Sequence, residues 1–206
     1  MYTGIVQSKA EIGRIDKQKG LWTFFVAINE AQRQNIAHGM SVSLDGVCMT
    51  VVREEEGLVV FDAMTETLEK TTLGTKRAGD FVNIERSAKA GDEIGGHTMS
   101  GHVYTMATLS DLKKPENNAV LTFTLQNTEA MKYIFHKGFI GVNGCSLTVV
   151  DPTPEGTFSV YLIPETLDIT TFGDMKVGDY VNIELDPMTQ VVVETVERVM
   201  KDRNKI

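Results

Sequence analysis

Gly46-Val47-Cys48-Met49-Thr50-Val51-Val52 returns 98 residues further along the chain as Gly144-Cys145-Ser146-Leu147-Thr148-Val149-Val150. Three more blocks return in the same order at an interval of 99: Glu66-Thr67-Leu68 as Glu165-Thr166-Leu167, Thr71-Thr72-Leu73-Gly74 as Thr170-Thr171-Phe172-Gly173, and Gly79-Asp80-Phe81-Val82-Asn83-Ile84-Glu85 as Gly178-Asp179-Tyr180-Val181-Asn182-Ile183-Glu184. Thr3-Gly4-Ile5-Val6 is answered by Ser100-Gly101-His102-Val103. Four collinear matches at an interval constant to one residue indicate a duplication, and a period of about 100 residues is too long for a solenoid unit, so each half is a domain.

Within each half, β-branched and aromatic runs bounded by turn residues read as strands: Trp22 to Ile28, Gly57 to Phe61, Ala119 to Leu125 and Thr157 to Tyr161. Asp45-Gly46 and Asn143-Gly144 sit between such runs at equivalent places, where a type I′ hairpin turn requires positive φ. Many short strands and few helical patches, such as Glu129 to Phe135, predict an all-β chain of two similar closed, Greek-key-like barrels. Arg86 to Ile94 lacks periodicity and reads as the connection, giving domains at 1–94 and 95–186. Residues 187–206 follow as a helix, because Val192, Val193, Val196, Val199 and Met200 recur at helical spacing after Pro187. Its other face carries Glu194, Glu197, Arg198 and Lys201, and its apolar stripe needs cover from its own barrel or from another copy.

The chain has 206 residues, 42% apolar and 23% charged, which fits a folded globular protein and excludes a disordered one. A net charge of −8 without a basic stripe argues against nucleic acid. Two cysteines are too few for a disulfide scaffold and point to a reducing compartment. Charges at Lys9 and Glu11 interrupt any leader-like core, and no apolar run approaches membrane length, so the expectation is a cytoplasmic protein with no membrane partner.

Met1-Tyr2-Thr3-Gly4-Ile5-Val6, the paired Gly-x-x-x-Thr-Val hairpins, Gly95-Gly96-His97-Thr98-Met99-Ser100-Gly101-His102, Lys132-Tyr133-Ile134 with Lys137-Gly138, and Ile163-Pro164-Glu165-Thr166 together resemble the riboflavin synthase family, the α-type with duplicated lumazine-binding barrels. The resemblance spans essentially the whole chain. It implies a transferase that dismutates two molecules of 6,7-dimethyl-8-ribityllumazine by four-carbon transfer, giving riboflavin and 5-amino-6-(D-ribitylamino)uracil. It also implies no metal, no added cofactor, and homotrimers joined through the C-terminal helix. Each site would then lie between the N-terminal barrel of one subunit and the C-terminal barrel of the next. Association with lumazine synthase is left open.

Such a reaction needs two similar heterocycles held face to face, a base for the 7-methyl proton and a nucleophile. The duplication exposes an asymmetry: Cys48 corresponds to Ser146, and Ile5 to His102. By composition alone Cys48 is a small buried strand residue; the resemblance makes it the first candidate nucleophile, with His102 beside it to lower the thiol pKa. Cys145, one position off in the strand, is expected to face the other way.

The remaining candidate catalytic residues are Ser41, Ser146, Lys137, Asp186 and, in support, His97. Lys137 matches a family lysine that reaches the neighbouring subunit's lumazine, and Asp186 matches a family acidic residue while also suiting a helix cap. His97 and His102 lack a third ligand for a metal site. His38 and His136 read as surface histidines.

Substrate contacts are expected from Cys48, Met49 and Thr50 with Asp62, Ala63, Met64, Thr65, Glu66 and Thr67 in the first half. Ser146, Leu147 and Thr148 with Lys137, Leu162, Ile163, Pro164, Glu165 and Thr166 answer them in the second, and Gly4, Ile5, Val6, Gly101, His102 and Val103 join the two. Glu66 and Glu165 are assigned to ribityl hydroxyls, with a helix-start role as the rival. Two positions depart from the family pattern: Tyr2, usually Phe, expected near the pocket entrance, and Asn143, often Asp.

Three other readings compete. One is a non-catalytic lumazine- or flavin-binding antenna of the same fold. A second is the flavin barrel of a reductase, for which the Gly-x-Gly-x-x-Gly of a nicotinamide domain is missing. The third is a structural interaction module.

Overall fold

The computed structural model describes residues 1–203. The first half comprises β1 (Ser8–Gln18), β2 (Leu21–Ala27), α1 (Glu30–Arg33), β3 (Ser41–Leu44), β4 (Val47–Glu55), β5 (Leu58–Met64), α2 (Thr65–Lys70), a 3-10 turn (Thr72–Thr75) and β6 (Phe81–Arg86). These strands pair antiparallel in the order β1-β2-β5-β4-β3-β6, with β6 returning to β1 to close the barrel. Arg86 belongs to β6, where it pairs with Val42, rather than to the connection.

The second half repeats the plan with β7 (Thr105–Lys113), β8 (Ala119–Leu125), a 3-10 helix (Thr128–Tyr133) over most of the helical patch expected at Glu129 to Phe135, β9 (Phe139–Val142), β10 (Cys145–Thr148), β11 (Thr157–Leu162), α3 (Pro164–Ile169) and β12 (Tyr180–Leu185). Its sheet order, β10-β9-β12-β7-β8-β11, is the same circle cut at one seam. There Val150 and Ser159 exchange two backbone hydrogen bonds of 2.8 Å, and this single bridge is the closure. The difference from β4 is local. Asp151-Pro152-Thr153-Pro154 follows, and a proline has no N–H to continue a ladder.

Both hairpin turns adopt the left-handed conformation their residues favour: φ is 48° and 81° at Asp45 and Gly46, and 44° and 79° at Asn143 and Gly144. Phe24 and Phe61 fill one barrel, Phe123 and Phe158 the other, all fully buried. Each contributes roughly 1.5–3 kcal/mol of hydrophobic stabilisation.

Reciprocal bonds join the halves about an approximate two-fold axis. Asn83 Nδ2 donates to the Asn143 carbonyl (2.9 Å) and Asn182 Nδ2 to the Asp45 carbonyl (2.8 Å). Asn83 Oδ1 accepts from Thr171 N–H and Asn182 Oδ1 from Thr72 N–H, each at 2.8 Å. On the axis Gly46 and Gly144 touch: a Cβ on Gly46 would stand 2.7 Å from the Gly144 nitrogen, so no side chain fits. The Asn143 side chain acts within its own barrel, its Oδ1 accepting from Asn182 N–H at 2.7 Å as Asp45 Oδ1 accepts from Asn83 N–H at 2.7 Å in the first. Symmetry breaks beside it, where buried Asp45 pairs with Lys76 at 2.8 Å while the equivalent pair is Asn143 and Met175.

The final helix, α4 (Pro187–Arg203), is capped by Asp186, whose Oδ2 accepts from Thr189 N–H (2.9 Å) and Thr189 Oγ1 (2.6 Å). Residues 204–206 of the expected helical segment lie outside the described residues. α4 rests on its barrel through Val193, a Tyr133–Glu194 hydrogen bond of 3.0 Å and a Lys132–Glu197 ion pair of 2.8 Å. Met188, Val191, Val192, Val196, Val199 and Met200 stay exposed.

Candidate active site

The segments before β1 and β7 meet each other. Tyr2 N–H donates to the Met99 carbonyl (2.8 Å) and Met99 N–H to the Tyr2 carbonyl (3.0 Å). Each segment then crosses to the hairpin of the other half. Ser146 N–H donates to the Gly4 carbonyl (2.8 Å), and Cys48 N–H to the Gly101 carbonyl (2.9 Å). Glycine is required at both crossings, since a Cβ would come 2.5 Å from Ser146 Cβ at Gly4 and 2.6 Å from Cys48 Cβ at Gly101.

Two buried carboxylates anchor the crossings. Glu85 accepts from Thr3 N–H (2.7 Å), Thr3 Oγ1 (2.8 Å) and Gly4 N–H (3.1 Å). Glu184 accepts from Ser100 N–H (2.6 Å), Ser100 Oγ (2.8 Å) and Gly101 N–H (3.1 Å). Burial pushes both carboxyls above their ordinary range, and these hydrogen bonds pull back against it. Sequence reasoning used both residues only as markers of the repeat. Their positions at the ends of the two Val-Asn-Ile-Glu strands, buried but ionisable, were the available signal.

Cys48 and Ser146 occupy equivalent half-buried places on β4 and β10, while Cys145 turns into the second core, where burial with a contribution from Glu85 pushes its thiol up to about 12. The sulfur of Cys48 accepts a hydrogen bond from the Tyr2 hydroxyl at 3.2 Å. Among the described residues, His102 makes no bond to it; its side chain is exposed beyond Gly101. Tyr2 is buried, its backbone bridged to Met99 and its ring packed against Gly101.

Ser146 has a different partner. Its Oγ lies 2.6 Å from His97 Nδ1, and the imidazole stacks on Phe139 at 5.1 Å with 16° between planes. Burial holds His97 below the ordinary imidazole range, with Asp186 pulling it back, and its Nε2 is buried without a partner. Asp186 thus both caps α4 and bears on His97.

Lys137 sits at a positive φ of 64°, its N–H bonded to the Val149 carbonyl at 2.8 Å. With Ser146, Leu147, Thr148 and Tyr161 it lines an open cleft of about 550 Å³. In the first half Gly39 takes the equivalent bond, to the Val51 carbonyl, so no lysine stands there. Ser41 pairs across from Thr50, and Thr50 and Thr148 are exposed at equivalent positions. Asp62 Oδ1 accepts from Thr23 Oγ1 at 2.7 Å.

Glu66 and Glu165 open α2 and α3, both exposed, without capping them. The Lys70 ammonium at 2.8 Å holds the Glu66 carboxyl below its usual range. Met64, Thr65, Ile163 and Pro164 flank them on the surface, and Thr67 and Thr166 lie half-buried behind. Ile5 is exposed and Val103 half-buried. Val6, Met49, Ala63 and Leu162 point into the cores and leave only backbone for a ligand. His38 and His136 are on the surface. No three His, Cys, Asp or Glu side chains converge as metal ligands among the described residues.

Paired barrels, each with a hairpin strand completed by the other half's glycine segment, define a duplicated lumazine-binding protein. The family model described as "Lumazine binding domain" matches residues 3–87 and again 100–186. Riboflavin synthase of Escherichia coli (strain K12) is 48% identical over 203 residues, 98% of this chain and 95% of that protein. Riboflavin synthase of Chlamydia pneumoniae is 40% identical over 205 residues, covering both chains completely. The chain belongs to the riboflavin synthase family. Two solved structures share the fold at 22% identity over 90% of this chain: LumP complexed with riboflavin (TM-score 0.84, all of that chain) and LumP complexed with 6,7-dimethyl-8-(1'-D-ribityl) lumazine (TM-score 0.82, 99% of that chain).

Proposed function

We propose that this protein is a transferase converting two molecules of 6,7-dimethyl-8-ribityllumazine into riboflavin and 5-amino-6-(D-ribitylamino)uracil. The observation that carries the reading is the pair of equivalent but chemically unlike strands, one presenting Cys48 and the other Ser146, in a chain nearly half identical to a riboflavin synthase. One lumazine must give up four carbons and the other receive them, so unlike sites on a common frame suit the task. Cys48 adds to or protonates one ring, and the hydrogen-bonded pair of His97 and Ser146 serves the other. Thr50, Thr148 and Ser41 meet ring edges, Glu66 and Glu165 hold ribityl hydroxyls, and Lys137 and His102 reach into a site shared with a neighbouring subunit.

The assembly proposed is a homotrimer through the exposed apolar stripe of α4, in the cytoplasm. No helix among the described residues is long and apolar enough to cross a membrane. Incubating purified protein with 6,7-dimethyl-8-ribityllumazine alone, with and without chelator, should form one riboflavin per two lumazines at equal rates, followed by riboflavin absorbance. Tight lumazine binding without riboflavin would establish an antenna instead.

A further inference from the structure

The Tyr2 ring is fixed from three sides before its hydroxyl is considered. Its backbone is bridged in both directions to Met99, its Cε2 stands 2.9 Å from where a Cβ on Gly101 would lie, and its side chain is buried. The hydroxyl is thereby delivered to one atom, the Cys48 sulfur at 3.2 Å. The second half shows that this contact is not a requirement of the fold. Met99 occupies the equivalent place, with its Sδ 2.8 Å from the Cβ position of Gly4, and brings no donor; Ser146 is served by His97 instead.

We propose that Tyr2 is a positioning residue for Cys48, its hydroxyl fixing the sulfur on the pocket strand and favouring the thiolate as the reactive form. This rests on the reading of Cys48 as the nucleophile that adds to a ring rather than as a proton donor. A hydrogen bond to an ionised acceptor is stronger than one to its neutral form, so the donor biases the equilibrium toward the anion. The bias has an opponent. The charged groups bearing on this corner are the carboxylates Glu85 and Glu184, which disfavour a second negative charge, while His102 follows Gly101 on the segment bonded to Cys48. Burial, with the Cys48 bond and these carboxylates adding to it, holds the Tyr2 phenol far above its ordinary range, so it remains a donor across the working pH range.

The test is the pH profile of Cys48 alkylation by iodoacetamide, read by mass spectrometry of the Cys48 peptide in the full-length protein without lumazine. Tyr2→Phe should move the midpoint up by about one pH unit and slow alkylation near neutral pH about tenfold. Tyr2→Met, copying Met99, should do the same. In turnover the acid limb of kcat should shift in the same direction with KM little changed. Superimposable profiles would overturn the proposal, and so would loss of the folded circular-dichroism spectrum in Tyr2→Phe, which would make the hydroxyl structural. If wild-type protein forms no riboflavin but the alkylation shift is seen, the reaction fails and the Tyr2 contact stands. If riboflavin forms and the alkylation profiles coincide, the reaction stands and the Tyr2 contact fails.

Discussion

The two cysteines differ by one place in a strand, and that one place separates a half-buried sulfur touching a phenol from a sulfur enclosed by the second core. Substituting Cys48→Ser should lower the rate of riboflavin formation about a hundredfold or more, the scale on which a positioned acid, base or nucleophile acts. Cys145→Ser should retain most of it. Steady-state rates and lumazine affinity measured side by side decide: equal losses, or failure of Cys48→Ser to fold, would return Cys48 to a packing role. This division was legible because strand alternation needs only neighbouring residues. The partners were not. Tyr2 lies 46 residues from Cys48, and His97 lies 49 from Ser146. Pairing them depends on where two segments cross in space, and periodicity says nothing of that.

Helix α4 shows the same boundary between pattern and placement. Its 3.6-residue period was plain in the sequence, but whether its stripe packed inward was not, since an amphipathic repeat names a face without naming its cover. Among the described residues of α4 only Val193 packs against the second core, while Val192, Val196 and Val199 remain 50–58% exposed. Truncation after Asp186 should therefore yield monomers with intact barrels, seen as a threefold fall in mass by light scattering and an unchanged strand signal in circular dichroism. Activity should fall with the mass, because the proposed sites are shared between subunits. An unchanged mass would remove the helix from assembly. The barrels themselves were legible from the hairpins and the repeat interval, but the shorter β10 was not, and it emerges only in the structure, ahead of Pro152 and Pro154.

The joint between the halves is made of amides with no slack. Asn182 makes three side-chain bonds there, two to Thr72 and one to the Asp45 carbonyl. Replacing it with alanine leaves buried backbone groups unpaired, at about 1–3 kcal/mol for each. Asn182→Ala should thus be destabilised by several kcal/mol, and calorimetry should resolve a single wild-type transition into two as the barrels melt separately. One sharp transition at the wild-type temperature would show that the halves hold together by other means.

Such a joint, in which each side offers what it accepts, is what two copies of one short gene product would build on meeting. In that pair every substitution is inherited by both partners at once. A cysteine gained on one face is gained on the other, and a lysine that suits one aspartate must suit its twin. Tethering the copies end to end releases them: the glycine contact on the axis is the same from both sides, while Lys76 with Asp45 and Met175 with Asn143 are different answers to the same gap. A single polypeptide can then hold two identical molecules and treat them unequally.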